Sequence, residues 1–459
     1  MNGAATAQTL ADRVRGAVLR PSDPGFDARC AGFQTAHRHR PSVLVRPAVT
    51  EDVVVAVAHA AEHELSVAVQ ATGHGLSATL DGGVLLDTGG LTGVTVDAAA
   101  RTARVAAGTR FAEVVEAASR YGLAPLNGSF PGVGVVGYVL GGGLGLLARQ
   151  FGYAVDHVRA VDVVTPDARP RRVTADRDPE LFRALRGAGA NFGVVTGLEI
   201  DLVPVSRLYG GELVFDLART PGLLARYLRW TEALPEELTS SVSLLAYPDL
   251  PLFPPRLRGR RVGHVRIAYT GDGEEGARLV APLRAAGQLL TDTVAEMPYT
   301  ECGAIYNDPA MPHAYLGDNV LLRGIDPTEA DAVTELVTAP GPVPCVVDVR
   351  HLGGALGRPP AVPNVVGHRD ARYLLRVLTP LLGASPDQAV EAQHRVLDAL
   401  AARQRVGGRC QNLVYGQVPG SADDFWEPAD HQWLTGLKSR IDPANLLRCN
   451  RNIPPDRAC

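Results

Sequence analysis

Apolar and polar positions fall into two regimes along the chain. Between residues 41 and 205, short apolar runs alternate with helical periods and glycine-bearing turns. SVLVRPA at 42–48 reads as a strand, and the next residues predict a helix to about His63, with Thr50 as N-cap and Glu51 and Asp52 in its first turn. SVAVQATGHG at 66–75 is a buried strand that breaks into a glycine-containing loop. The segments 83–91 and 93–108 read as strands, the latter a hairpin, and Phe111 to Gly122 as a helix ended by glycine. A strand at 158–166, a helix at 178–187 and a glycine loop with a strand at 187–205 complete this regime. Residues 7–19 read as a short leading helix.

The segment GSFPGVGVVGYVLGGGLG at 128–145 stands apart. Glycine loses too much backbone entropy for a helix or a regular strand here, so a loop whose backbone amides face a ligand is expected. The character changes near Val205, after which GELVFDL, SVSLLAY and GHVRIAYTG read as strands of an antiparallel sheet. GARLVAPLRAAG and AVEAQHRVLDALAAR read as helices covering that sheet. The tail HQWLTGLKSRIDPANLLRCNRNIPP is a helix, a turn at Asp442-Pro443 and an irregular end. A chain of 459 residues exceeds what one core supports, so two domains are expected, or one interrupted by another.

Composition narrows the partners. The net charge of −4 leaves no electrostatic footprint for nucleic acid. Arginines are balanced by acids, and Lys438 is the only lysine. No run of about 18 uncharged apolar residues suggests a membrane span, and the N-terminus lacks the apolar core of a signal peptide. The six cysteines, Cys30, Cys302, Cys345, Cys410, Cys449 and Cys459, form no zinc spacing and no disulfide framework. Reduced thiols in a soluble, cytoplasmic protein are the expectation.

Candidate chemistry begins at Thr72-Gly73-His74-Gly75. A tight turn of small residues lets a phosphate group approach the backbone, where successive N–H groups form an anion-binding nest. Together with GSFPGVGVVGYVLGGGLG, FGYAVDHV, LRGAGANFGVVT and LTGLKSRIDPANLLRCNRNIPP, in this order, the chain resembles the berberine-bridge-enzyme-like FAD-linked oxidases, which have the vanillyl-alcohol-oxidase (PCMH) type of FAD-binding fold. The resemblance covers most of the chain and is loosest in the middle. It implies an α+β protein in which residues 1–205 form an FAD-binding domain. Residues 405–459 would complete that domain, and residues 206–404 would be an inserted substrate domain.

The resemblance also implies roles. His74 would bond covalently to the flavin 8α-methyl carbon. Phe130 replaces the cysteine that makes a second link in many relatives, so a single link is expected. Thr72, Gly73, Gly75, Leu76, Gly108, Gly132, Gly134, Gly137, Gly141 and Gly142 would give the cofactor close backbone approach. Val133 fills a position that gates oxygen, and a small residue there resembles oxidases. Tyr138 stands where many relatives carry a histidine, and its phenol could donate to the reduced flavin. Gly189, Asn191, Gly193 and Val195 would border the adenine side, with Asn450 and Asn452 near the flavin.

The implied reaction is hydride transfer from a substrate C–H bond to flavin N5, with a proton lost to a nearby base and O2 as the electron acceptor. The substrate would be a small organic molecule, as in secondary-metabolite tailoring. The base is left open. Relatives carry Tyr-x-Asn before the closing segment, where this chain has Cys410-Gln411-Asn412. Cys410 is one candidate. On a regular strand Tyr415 would face away from Asn412 unless a bulge intervened, and Tyr306, Tyr315 and His351 are further candidates. Two rival readings remain: a flavin-dependent monooxygenase or oxidative cyclase, and a non-catalytic flavin-carrying binding protein.

Overall fold

The computed structural model describes residues 10–251, 253–339, 343–401, 407–416, 422–449 and 451–456. Among these residues the strands gather into three sheets. The first holds β1 (Ala17–Leu19), β2 (Val43–Arg46), β3 (Val67–Gln70) and β4 (Val84–Asp87) in the order β1-β2-β4-β3. The helix α1 (Thr50–Glu62) carries the chain from β2 to β3, and both strands pair parallel with β4. The second sheet holds β5 (Val94–Asp97), β6 (Thr102–Ala106), β7 (Val158–Val164), β8 (Pro170–Val173) and β9 (Val194–Asp201) in the order β5-β6-β9-β7-β8, all antiparallel.

The third sheet is built from residues after 205. Its strands are β10 (Arg207–Asp216), β11 (Leu238–Ala246), β12 (Arg261–Tyr269), β13 (Leu289–Asp292), β14 (Ala295–Pro298), β15 (Tyr315–Leu322), β16 (Val346–His351) and β17 (Tyr373–Pro380). The order is β13-β10-β12-β11-β16-β17-β15, with β14 also pairing to β10. One face packs Leu213, Phe215, Val265, Val349 and Leu375 against helical residues such as Tyr227, Val333 and Val396. A separate core joins the first two sheets, through Val43, Leu86, Val105, Val161 and Leu198, to Leu437 of the closing helix Pro428–Ile441.

Three local expectations are corrected. Residues 7–9 of the expected leading helix lie outside the described residues, but Ala17–Leu19 is a strand paired antiparallel with β2. Thr50 is the first helical residue of α1, not its cap; the residue before it is Val49. The capping is done by Asp52, whose buried carboxylate accepts the N–H groups of Arg15, Gly16, Ala48 and Val49. Burial would raise the pKa of that carboxyl, yet these four donors hold it below its ordinary value. Within the glycine segment, Val135–Leu140 forms a short helix despite Gly137, because Val135, Val136, Val139 and Leu140 are buried. Packing outweighs glycine's entropic cost there.

The lone lysine ties the closing segment to the rest. Fully buried, Lys438 donates to the carbonyls of Asn191 and Leu447 and pairs with Asp442 at 2.8 Å. Asp442 in turn accepts the N–H groups of Leu446 and Leu447. Breaking a buried pair on one side typically costs about 3–5 kcal/mol. Lys438→Met is therefore expected to lower the thermal midpoint markedly, and Lys438→Met with Asp442→Asn to lower it less. Equal or additive losses in a calorimetric comparison would contradict this coupling.

Candidate active site

The loop 72–76 leaves the C-terminal end of β3, beside the same end of its parallel partner β4. In parallel sheets this is where ligands bind. Gly73 has φ +69°, and a Cβ there would lie 2.4 Å from Gly32 Cα. That contact lets the segment 31–34 cross the loop, with Phe33 N–H donating to Thr72 O and Gln34 N–H to Gly73 O. Phe33 consequently stacks on His74, centroids 4.0 Å apart at 14°. Thr72 Oγ1 lies 2.8 Å from His74 Nδ1 and accepts the N–H of Gly134, joining the two glycine-bearing loops. His74 Nε2 is buried with no partner among the described residues. Burial, with Arg110 and His313 nearby, pushes the imidazole down to about 4, so it is neutral at ordinary pH.

A cavity of about 330 Å³ opens between these loops and the third sheet. Thr72, Gly73, His74, Gly75, Leu76, Phe130, Val133, Gly134, Gly137, Tyr138, Gly141, Gly189, Gly193 and Val195 all line it. Cβ atoms on Gly75 or Gly137 would meet no atom within 4 Å, so the backbone there faces open space. Tyr138 is buried with its hydroxyl unpartnered among the described residues, and burial pushes its pKa far up. A cavity walled in part by bare backbone, with buried polar atoms at His74 and Tyr138 that are unpartnered among the described residues, fits a flat heteroaromatic ring joined to a pyrophosphate.

Other expected residues lie off the cavity lining. A Cβ on Gly108 would strike Thr88 O at 2.2 Å, so this glycine packs strand ends together while Ala107 reaches the cavity. Gly132 backs onto the Phe130 ring, and Gly142, φ +108°, onto Val366. Asn191 is fully engaged, donating to Ala188 O and Arg451 O and accepting Ile453 N–H, so it holds the closing segment rather than a ligand. Asn452 has a buried oxygen, unpartnered among the described residues, away from the lining. Asn450 lies outside the described residues.

The open question of the base changes shape. Residues 409–415 are not a regular strand: Gln411–Leu413 make one tight helical turn. That turn acts as the interruption that alternation alone lacked, and Gln411, Asn412, Leu413 and Tyr415 all line the cavity. Cys410 does not, and burial raises its pKa, so it is a poor base. Asn412 donates to Tyr138 O and accepts Gly143 N–H at 2.7 Å, clamping the glycine segment. Tyr415 exchanges two backbone hydrogen bonds with Gly317, whose missing Cβ makes room for the tyrosine ring. Burial raises the Tyr415 pKa, though Arg376 and Arg350 beside it pull the other way. Tyr315 also lines the cavity, but its hydroxyl donates to His74 O. Tyr306 bonds Ser241, and His351 is bound to Arg149 and neutral, its pKa pushed down to about 3 by burial and then by Arg149; neither lines the cavity.

Sequence reasoning missed Phe33, His313, Arg350, Arg376, Gln411 and Arg451, all on the lining. For two of them a signal existed: Arg350 and Arg376 interrupt apolar strands, VVDVRH and YLLRVLTP. Phe33 and His313 reach His74 only through the fold.

Comparison with known proteins bears on the same cavity. A family model described as an FAD binding domain matches residues 41–174. The chain is 29% identical over 468 residues to (R)-6-hydroxynicotine oxidase of Paenarthrobacter nicotinovorans, covering 96% of this chain and 97% of that one. The crystal structure of 6-hydroxy-D-nicotine oxidase from Arthrobacter nicotinovorans superimposes with a TM-score of 0.85 at 26% identity, covering 96% and 98% of the two chains. A BBE-like protein of Physcomitrella patens shares the fold, with a TM-score of 0.84 at 19% identity over 99% of this chain and all of the other. With a PCMH-type FAD-binding fold and a matching FAD domain, the chain is an FAD-linked oxidoreductase that is similar to the berberine-bridge-enzyme-like oxidases.

Proposed function

We propose that the chain oxidises a small organic substrate using FAD held through a single bond to His74 Nε2, with O2 as electron acceptor. The division expected at 1–205, 206–404 and 405–459 belongs to this reading, with the first and last segments holding the flavin and the third sheet facing the substrate. The observation that carries the reading is the His74 ring, neutral, stacked and fixed at Nδ1, with its other nitrogen buried and unpartnered at the cavity wall. When bound, FAD would supply a two-electron acceptor for the substrate's hydride, with O2 as the final oxidant and hydrogen peroxide as its product.

The protein's own groups do the rest. In the tautomer whose Nδ1–H donates to Thr72, the Nε2 lone pair is free to bond. Phe130, 5.6 Å from the His74 ring, offers no second nucleophile. Asn412 fixes the glycine segment against the slot. Tyr138 holds an O–H on the lining, suited to a developing negative charge. Val133 leaves a small apolar surface on the lining for O2. Tyr415 is the hydroxyl placed to take the substrate's proton, with Arg376 and Arg350 favouring its ionised form.

Three tests follow from this arrangement. Acid-precipitated protein should be yellow and heavier by one FAD, whereas His74→Ala should fold but release its flavin into the supernatant. Covalent flavin in that variant, or none in the wild type, would overturn the link. Against small alcohols, amines and hydroxylated heterocycles, turnover should release one hydrogen peroxide per substrate, without incorporation of labelled oxygen. Because burial raises the Tyr415 pKa, kcat/KM should climb through the alkaline range as its phenolate forms. Tyr415→Phe should lose that climb and about 10²-fold or more in rate. An unchanged pH profile would remove Tyr415 as the base.

A further inference from the structure

The face of the third sheet that looks into the cavity is polar in the middle of an apolar fold. Asp348 of β16 stands opposite Arg376 of β17, and Arg350 projects from the same face two residues on. Fully buried, Asp348 accepts from Arg350 Nε at 2.8 Å and lies 3.4 Å from Arg376 Nη2. Ser243 also donates to it and is in turn bonded by Arg266, whose neighbours include the His264–Glu212 pair and the Tyr306 ring. Burial would raise the Asp348 pKa, yet Arg350, Arg376 and Arg266 hold it at about 2.

One carboxylate therefore serves two guanidinium groups that both line the cavity. Arg350 is only 8% exposed, and Arg376 Nε is buried with no partner among the described residues. A third arginine, Arg451, lines the cavity with its Nε likewise unpartnered, and burial pushes its pKa down to about 10. The acid on the lining is Asp308, near Tyr315 and Tyr415. Cationic charge at the cavity wall thus exceeds the acids that face it. Buried guanidinium groups are costly unless an anion and further acceptors complete them.

Resting on the reading of the cavity as an oxidase site, we propose that its substrate carries a carboxylate, bound by Arg350 and Arg376 on the third sheet with Tyr415 alongside. The planar guanidinium fork matches a carboxylate's two oxygens, which the compact ammonium of lysine does not. Asp348 fixes Arg350 through Nε, and Arg350 lines the cavity. A neutral substrate of the same shape would leave this charge desolvated and unanswered, so the arginines select against it.

The test uses the flavin-loaded enzyme and four pairs of probes: acetate, benzoate, phenylacetate and 3-phenylpropionate, each against its amide. Binding is followed by the change in the visible flavin spectrum. At least one acid is expected to bind saturably and about tenfold or more tighter than its amide. Arg350→Met and Arg376→Met should each abolish that preference, and lysine at either position should restore part of it, with flavin content unchanged; each methionine variant should also lower the thermal midpoint, because it takes a partner from buried Asp348. Equal affinity of acids and amides, or no response to any acid, overturns the proposal, as does a preference that survives both methionine variants. If the methionine variants do not fold, the acid-to-amide ratio of the wild type decides. Protein isolated without flavin would instead sink the oxidase reading on which this rests.

Discussion

The site depends on one steric constraint: its wall must be backbone rather than side chain. Gly75 and Gly137 present open space where a side chain would begin, and Gly73 touches Gly32 so closely that no Cβ fits between them. Bare backbone has no stiffness of its own, so the wall must be held from behind. Asn412 does this by joining Tyr138 O to Gly143 N–H, and Thr72 does it by joining His74 to Gly134. A Cβ on Gly141 would lie 2.7 Å from the Asn412 amide, so clamp and glycine require each other. Gln411 and Trp426 extend the support by donating to Gly187 O.

Burial then sets the chemistry of the groups that face the slot. It keeps His74 neutral and nucleophilic, and it keeps Tyr138 protonated as a hydrogen-bond donor. On the facing sheet the same burial is opposed by charge, because arginines hold Asp348 ionised and draw the Tyr415 phenol back towards its ionised form. The two walls thus differ in kind. One offers backbone and neutral rings, suited to a flavin and its pyrophosphate, and the other offers fixed charge, suited to recognition of a substrate.

The closing segment is one link between the walls, beside the Tyr315 hydroxyl that donates to His74 O. Residues 410–415 pair with β15 through Gly317 and Asn319 while clamping the glycine segment through Asn412. Further on, Lys438 and Asp442 anchor the tail to the loop at Asn191. The clamp, Tyr415 and the anchor therefore all lie on the last part of the chain.

Local pattern alone determined much of this protein. Strand alternation, the hairpin at 94–106, the antiparallel sheet after Val205 and the tail helix were legible because each buries one face against a core with its own period. The TGHG turn and the glycine segment were legible because close approach leaves glycine as the residue that fits. Tertiary structure decided what local signals conflict over or do not carry. The segment at 17–19 became a strand because β2 offered it an edge, and Val135–Leu140 became a helix because its apolar face found a core. Asn191 became a clamp because the tail folded onto it, and Cys410 left the lining because one tight turn rotated its neighbours in. Phe33, His313, Arg350 and Arg376 meet the slot across tens to hundreds of residues. Contacts of that range are set by how sheets pack, a property that no short window of sequence contains.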